Sequence, residues 1–237
     1  TGYHAIEFLL WGQDLNGTGA GAGARMHTDF DAANCTNGNC ERRAEYLMAA
    51  SDLLLTDLEE IVAAWDADGA ARVDLAGQSD TQGISSILTG LGSLSYGELA
   101  GDRMKLGLIL HDPEEEHDCI AANTHNSHFY DALGIQNVYH GRYTTTDGRT
   151  IEVPSLASLA QGKNAEIHGD MAAKLEATMT AMQVMKDRAD TGVESYDQMI
   201  GYGNDEGNAV VQAAIDALVD QTRSIEQLVA VLGAAEI

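Results

Sequence analysis

At 237 residues the chain can bury a sizeable core, as one large domain or two small ones. Apolar residues make up 44% but aromatics only 5%, and there are two prolines, so the core must be Ala, Leu, Ile, Val and Met carried on helices. A formal charge of −24 repels phosphate backbones and anionic lipid, which excludes nucleic acid and an anionic bilayer surface as natural partners.

The chain opens with TGYHAIEFLLWGQD. His4 and Glu7 stand three apart, the spacing that places two side chains on one face of a helix, and Trp11 and Asp14 continue that line. Imidazole and carboxylate together suit zinc or iron, so the pair reads as half of a metal site; an amphipathic helix flanked by polar residues is the alternative. This helix should end between Gly12 and Gly17, where NGTGAGAGA begins. That stretch lacks the lysine and preceding strand of a phosphate-binding loop and reads as a flexible connector.

Cys35 and Cys40 bracket Thr-Asn-Gly-Asn, a polar loop short enough to close with a disulfide, which implies an oxidising compartment. Two free thiols are the alternative; a structural zinc site would need a second cysteine pair, and the remaining Cys119 reads as a small apolar residue. Residues 41–66 form the clearest helix, with Leu47, Leu54, Leu58, Ile61 and Trp65 at helical spacing and Gly69 as a stop. From 81 to 110 the pattern is again helical, but its many glycines predict either close helix packing or breaks near Gly90 to Gly97. Asp112-Pro113 then predicts a helix running to about Tyr139. RYTTTDGRTIEV predicts a β-hairpin near 142–153 turning at Asp147-Gly148, and helices resume over 155–188 and 207–233. The fold class expected is all-α, a helical bundle with one small hairpin.

Five of the eight histidines fall between His111 and His140. On a helix from Pro113, Glu114, His117, Asp118, His125 and His128 would share a stripe, and Glu114-x-x-His117 has the spacing of a carboxylate-bridged di-iron bundle. Such a bundle needs a second E-x-x-H, which the sequence lacks; a solvated acidic helix with incidental histidines is the other reading.

Gly2-Tyr3-His4-Ala5-Ile6-Glu7, followed by Phe8-Leu9-Leu10-Trp11-Gly12-Gln13-Asp14, closely resembles the G-x-H-x-x-E signature of the imelysin family, the M75 peptidase-like proteins, and most of all their iron-regulated branch. The likeness continues through Arg42-Arg43-Ala44-Glu45-Tyr46-Leu47, TGLGSLSYGELAGDRM at 89–104, EEEHDCIAANTH and ALGIQNVYHGRYTTTDG, and so spans nearly the whole chain. The resemblance implies two bundle-like halves with a site between them. It also implies that residues 1–237 are the C-terminal part of a longer imelysin-like domain, whose N-terminal helices precede this sequence. It implies export to the periplasm or outer membrane of a Gram-negative-type bacterium, with peripheral attachment only through a preceding anchor. The function implied is binding of a metal ion or small chelate in iron acquisition, alongside other iron-uptake components of the envelope.

In that reading His4 and Glu7 are metal ligands, iron being favoured and zinc or copper possible. Asp14 orients the imidazole, and Glu116, His117 and His125 line the site. Arg42 or Arg103 facing the pair would instead point to an anionic ligand or a purely structural bond, in a helical interaction module. A metallopeptidase of the M75 type is the other alternative, but no H-E-x-x-H occurs and no general base can be named.

Overall fold

The structure, a computed structural model, describes residues 2–234. It is all-α apart from one small hairpin. In chain order the helices are α1 (Tyr3–Trp11), α2 (Cys40–Trp65), α3 (Ala70–Gly77), α4 (Asp80–Gly92), α5 (Leu106–Leu110), α6 (Thr124–His140), α7 (Leu156–Lys163), α8 (Ala165–Asp190), α9 (Tyr196–Ile200) and α10 (Asp205–Leu232). Strands β1 (Arg142–Thr144) and β2 (Thr150–Glu152) pair antiparallel, Tyr143 opposite Ile151, with Asp147-Gly148 in the turn where the sequence predicts it.

α10 is the axis of the molecule. Its 28 residues span about 42 Å at 1.5 Å per residue. Val211, Ala214, Ile215, Leu218, Ile225, Leu228 and Val229 fall along one face of the helix, and all are buried. The upper half of this stripe packs with Leu99, Met104, Met182, Met185, Tyr196, Met199 and Ile200; the lower half packs with Leu88, Ile135, Tyr139, Leu156, Met171 and Leu175. Methionine fills the first of these cores, which suits a chain with so few aromatic rings.

The glycine-rich stretch at 81–110 contains no break. α4 passes through a π-helical segment, Ser93–Lys105, directly into α5. Gly90 and Gly97 have no neighbouring atoms within 4 Å of where a Cβ would stand, so tight packing does not account for them either. The wide turns instead bring Ser95 onto α10, where its hydroxyl donates to the carbonyl of Leu218 (3.1 Å) and accepts from the Gln221 amide (3.0 Å).

Three expectations require correction. α2 ends at Trp65, and Gly69 starts α3 rather than stopping α2. Leu58, Ile61 and Trp65 are exposed, because the main packing of α2 is on α1, α3 and the 3₁₀ turn at His27–Phe30. The connector at 12–24 is held in place: Gly23 donates to the Ile120 carbonyl (2.8 Å), and the Arg25 amide donates to that of Trp11 (2.8 Å). A Cβ on Gly23 would stand 2.6 Å from the Trp11 oxygen, so glycine is required there for close approach.

The third correction concerns Pro113 to Tyr139. A 3₁₀ turn at Pro113–Glu115 is followed by an irregular loop, and α6 begins only at Thr124. The loop's amide hydrogens go to side chains instead of to a helix: Asp118 N–H to Thr124 Oγ1 (2.9 Å), and Ile120 and Ala121 N–H to Glu7 Oε1 (3.2 and 2.8 Å). Ala122 takes up the bend at φ 50°. The five residues Glu114, His117, Asp118, His125 and His128 therefore share no helical stripe.

Cys35 and Cys40 are disulfide-bonded, and Cys119 is the free cysteine among the described residues. Beside the bridge, the buried Asp29 carboxylate accepts from Asn37 Nδ2 (2.9 Å) and Arg25 Nη1 (3.1 Å), and Arg43 bonds the Asp29 carbonyl (2.6 Å). The Asn37 hydrogen bonds, then Arg25, hold the Asp29 carboxyl below its usual range. Thiol titration of the denatured, unreduced chain should find one reactive cysteine, rising to three on reduction. Cys40→Ser should lower the unfolding free energy by roughly 2 kcal/mol in a denaturant titration, the loop-entropy value for so short a ring.

Candidate metal centre

α1 begins at Tyr3 behind Gly2 (φ 85°), so His4 and Glu7 lie in its first two turns. Their side chains meet, with His4 Nδ1 2.9 Å from Glu7 Oε2. His4 is largely exposed (64% of its side chain) and Glu7 is buried (9%), so the pair runs from solvent into the protein. The far carboxylate oxygen, Oε1, is the one that receives the Ile120 and Ala121 amides. Glu7 thus ties α1 to the 116–123 loop.

That loop delivers a third donor. Among the described residues, His4, Glu7 and Asp118 form a group whose ligand atoms all lie within 4.8 Å of one another. Asp118 is half-buried and is fixed by Ser127, whose hydroxyl bonds its Oδ2, and by its own amide bonded to Thr124. One imidazole and two carboxylates, each already oriented by a neighbour, make a donor set suited to iron or zinc.

The other predicted residues sort into separate places. Asp14 lies beyond the end of α1 and accepts from the Asn16 amide (2.7 Å), while Glu7 orients His4. Arg42 borders a shallow surface groove with Leu9, Asn39 and Tyr46, and Arg103 pairs with Glu98 (3.0 Å). His125 faces Asp190 (3.2 Å). His117 approaches Asp131 at 3.6 Å, too long for a hydrogen bond, and its ring lies 5.2 Å from that of His128. Cys119 sits beside this loop with its thiol pushed up to about 12, first by burial and then by the charges of Glu114, Glu7 and Glu116. At neutral pH it is a thiol, and it is not among the donors that gather within 4.8 Å of one another.

Glu116 turns inward. It is 4% exposed, with neither carboxylate oxygen hydrogen-bonded, and it faces the buried Asp197. Burial first, and then the Asp197 carboxyl, raises the Glu116 carboxyl well above its usual range; burial likewise raises Asp197. Next to them Tyr196 stacks edge-on with His128 at 4.8 Å, both fully buried. His128 is held neutral by burial first, then by the charges of His117 and Arg103.

Sequence pattern places Asp118 on a stripe but not at the centre, and it passes over Tyr196 and Asp197. Ser195-Tyr196-Asp197-Gln198 reads only as a helix start, which it also is.

The family model described as Imelysin (Peptidase_M75) matches residues 1–225. No curated protein shows a significant match.

Two outcomes follow from this geometry. Glu7→Ala should cost about 1.5–3 kcal/mol, the range for charge-assisted hydrogen bonds, and should speed hydrogen exchange at the Ile120 and Ala121 amides. The second concerns pH. The folded pKa of His128 lies below the unfolded value of about 6.5, so the unfolded chain gains a proton that the native state refuses as pH falls through that value. Its contribution to stability is lost as pH drops below about 6.5, while the raised Glu116 acts in the opposite direction. Comparing denaturation curves between about pH 7 and 5, His128→Phe should therefore lose less stability, or gain more, than the parent by up to about 1.4 kcal/mol per pH unit.

Proposed function

The chain belongs to the imelysin family, and from that premise we propose that it is an exported metal-binding protein of iron acquisition. The observation that carries this reading is the convergence of His4, Glu7 and Asp118 within 4.8 Å. The G-x-H-x-x-E segment supplies two of these donors, and the acidic loop supplies the third.

The gradient of burial gives the site a direction. Glu7 anchors it from inside, Asp118 is intermediate, and His4 faces solvent, so a metal ion held here remains open on its outer side. A small chelate can complete its coordination from that side. Mixed imidazole and carboxylate donors favour iron, and zinc or copper would also bind. Glu7 does two jobs in this reading: its Oε2 faces the cation beside His4, and its Oε1 keeps the loop carrying Asp118 in register. The Cys35–Cys40 bridge supports an oxidising, extracytoplasmic setting such as the periplasm.

A metallopeptidase would need the same ligands plus a general base within hydrogen-bond reach of the metal-bound water. Glu116, the nearest carboxylate along the chain before Asp118 on this loop, is directed at Asp197 instead. Binding without hydrolysis is the reading this favours.

Titrating Fe²⁺ or Zn²⁺ into the protein by calorimetry tests it. His4→Ala and Asp118→Asn should each weaken binding by roughly tenfold or more while leaving helical circular dichroism unchanged, because neither side chain belongs to the core. Unchanged affinity in both variants would remove the metal reading. Chelator-sensitive peptide turnover would replace it with the peptidase.

A further inference from the structure

A second group of polar side chains lies inside the protein, separate from His4. Glu116 and Asp197 are buried side by side, at 4% and 0% exposure, with no lysine or arginine bonded to either. Both Glu116 oxygens and Asp197 Oδ1 have no hydrogen-bond partner. The neighbouring Tyr196 hydroxyl is fully buried and also has none, although its ring is locked against His128 at 4.8 Å. Orphaned polar atoms gathered in a core are costly, typically about 1–3 kcal/mol each, and two facing carboxylates add mutual repulsion. Isolated, each is an anomaly. Together they are a cluster of buried oxygens without partners.

We propose that Glu116 and Asp197, with the Tyr196 hydroxyl beside them, form a second and internal site for a hard divalent cation of the Mn²⁺, Mg²⁺ or Ca²⁺ class. The donors are all oxygen, unlike the imidazole-containing set at His4, and oxygen cages select hard ions over softer ones. A cation there neutralises two buried carboxyl groups that no lysine or arginine reaches, and it occupies lone pairs that have no hydrogen-bond partner. The glycine-rich connector covers this region, where Thr18 rests against Gly201 and Asp14 adds its charge near Asp197. Glu116 and Asp118 stand two apart on one loop, so this site would brace the loop from inside while His4 and Glu7 hold it from outside. The inference does not rest on the His4 reading, since no residue is shared.

The test uses Mn²⁺ with the whole protein, counting bound ions by electron paramagnetic resonance at about 0.15 M salt, where diffuse surface attraction is largely screened. Glu116→Gln and Asp197→Asn should each remove one bound Mn²⁺, or weaken it by roughly tenfold or more, and should abolish Mn²⁺-dependent thermal stabilisation. His4→Ala should leave that ion in place, so failure of the two sites can be told apart. If Glu116→Gln does not fold, Asp197→Asn carries the comparison. Mn²⁺ binding and stabilisation equal to the parent in the folded variants would overturn the proposal. So would variants more stable than the metal-free parent when the parent itself shows no Mn²⁺ effect, since the pair would then simply share a proton.

Discussion

The Glu7 carboxylate is the joint on which the candidate site depends. One oxygen meets His4 at 2.9 Å, and the other takes the amides of Ile120 and Ala121, more than a hundred residues away. A carboxylate accepting two backbone N–H bonds replaces the hydrogen bonds that a continuing helix would have supplied. That exchange explains why the chain does not remain helical from Pro113, why Ala122 sits at positive φ, and how Asp118 arrives beside His4. Gly23 fastens the same loop from its other side through the Ile120 carbonyl.

The remainder of the fold holds this joint in place. α10 and α8 form the long pair around which α4, α6, α7 and α9 pack, and the π-helical segment seats Ser95 on α10. α9, which carries Tyr196, Met199 and Ile200 in the core, also presents Asp197 to Glu116. His111 at the end of α5 bonds the Ile200 carbonyl at 2.6 Å, fixing the start of the acidic loop to the end of α9. The acidic loop is therefore tied at its start to α9, at Asp118 to Thr124 of α6, and at Ile120 and Ala121 to α1. Loops anchored in this way by a packed scaffold are where binding residues concentrate.

Much of this was legible in the sequence, for identifiable reasons. α1, α2, the hairpin and α10 follow from periodicity, a D-G turn and strong helix formers, all local signals. The disulfide follows from a five-residue separation across a polar loop. His4 and Glu7 are legible because i,i+3 spacing on a helix is itself a geometric statement. The 116–123 loop was not legible, because its conformation is decided by Glu7, a partner no local window contains. The same holds for Glu116 with Asp197: EEEH reads as a solvated helix start, and nothing nearby shows that its third glutamate turns into the core. The exposed Leu58, Ile61 and Trp65 show the converse limit, since helical spacing predicts a face but not what covers it.

The central claim is that His4, Glu7 and Asp118 hold one metal ion together. The most direct measurement is anomalous diffraction from crystals grown with iron or zinc, recorded at the absorption edge of the added metal. The account predicts an anomalous peak within bonding distance of all three side chains, about 2.0–2.2 Å for zinc to nitrogen or oxygen. A fully loaded crystal with no peak at His4, or with a peak that Asp118 does not reach, would contradict it.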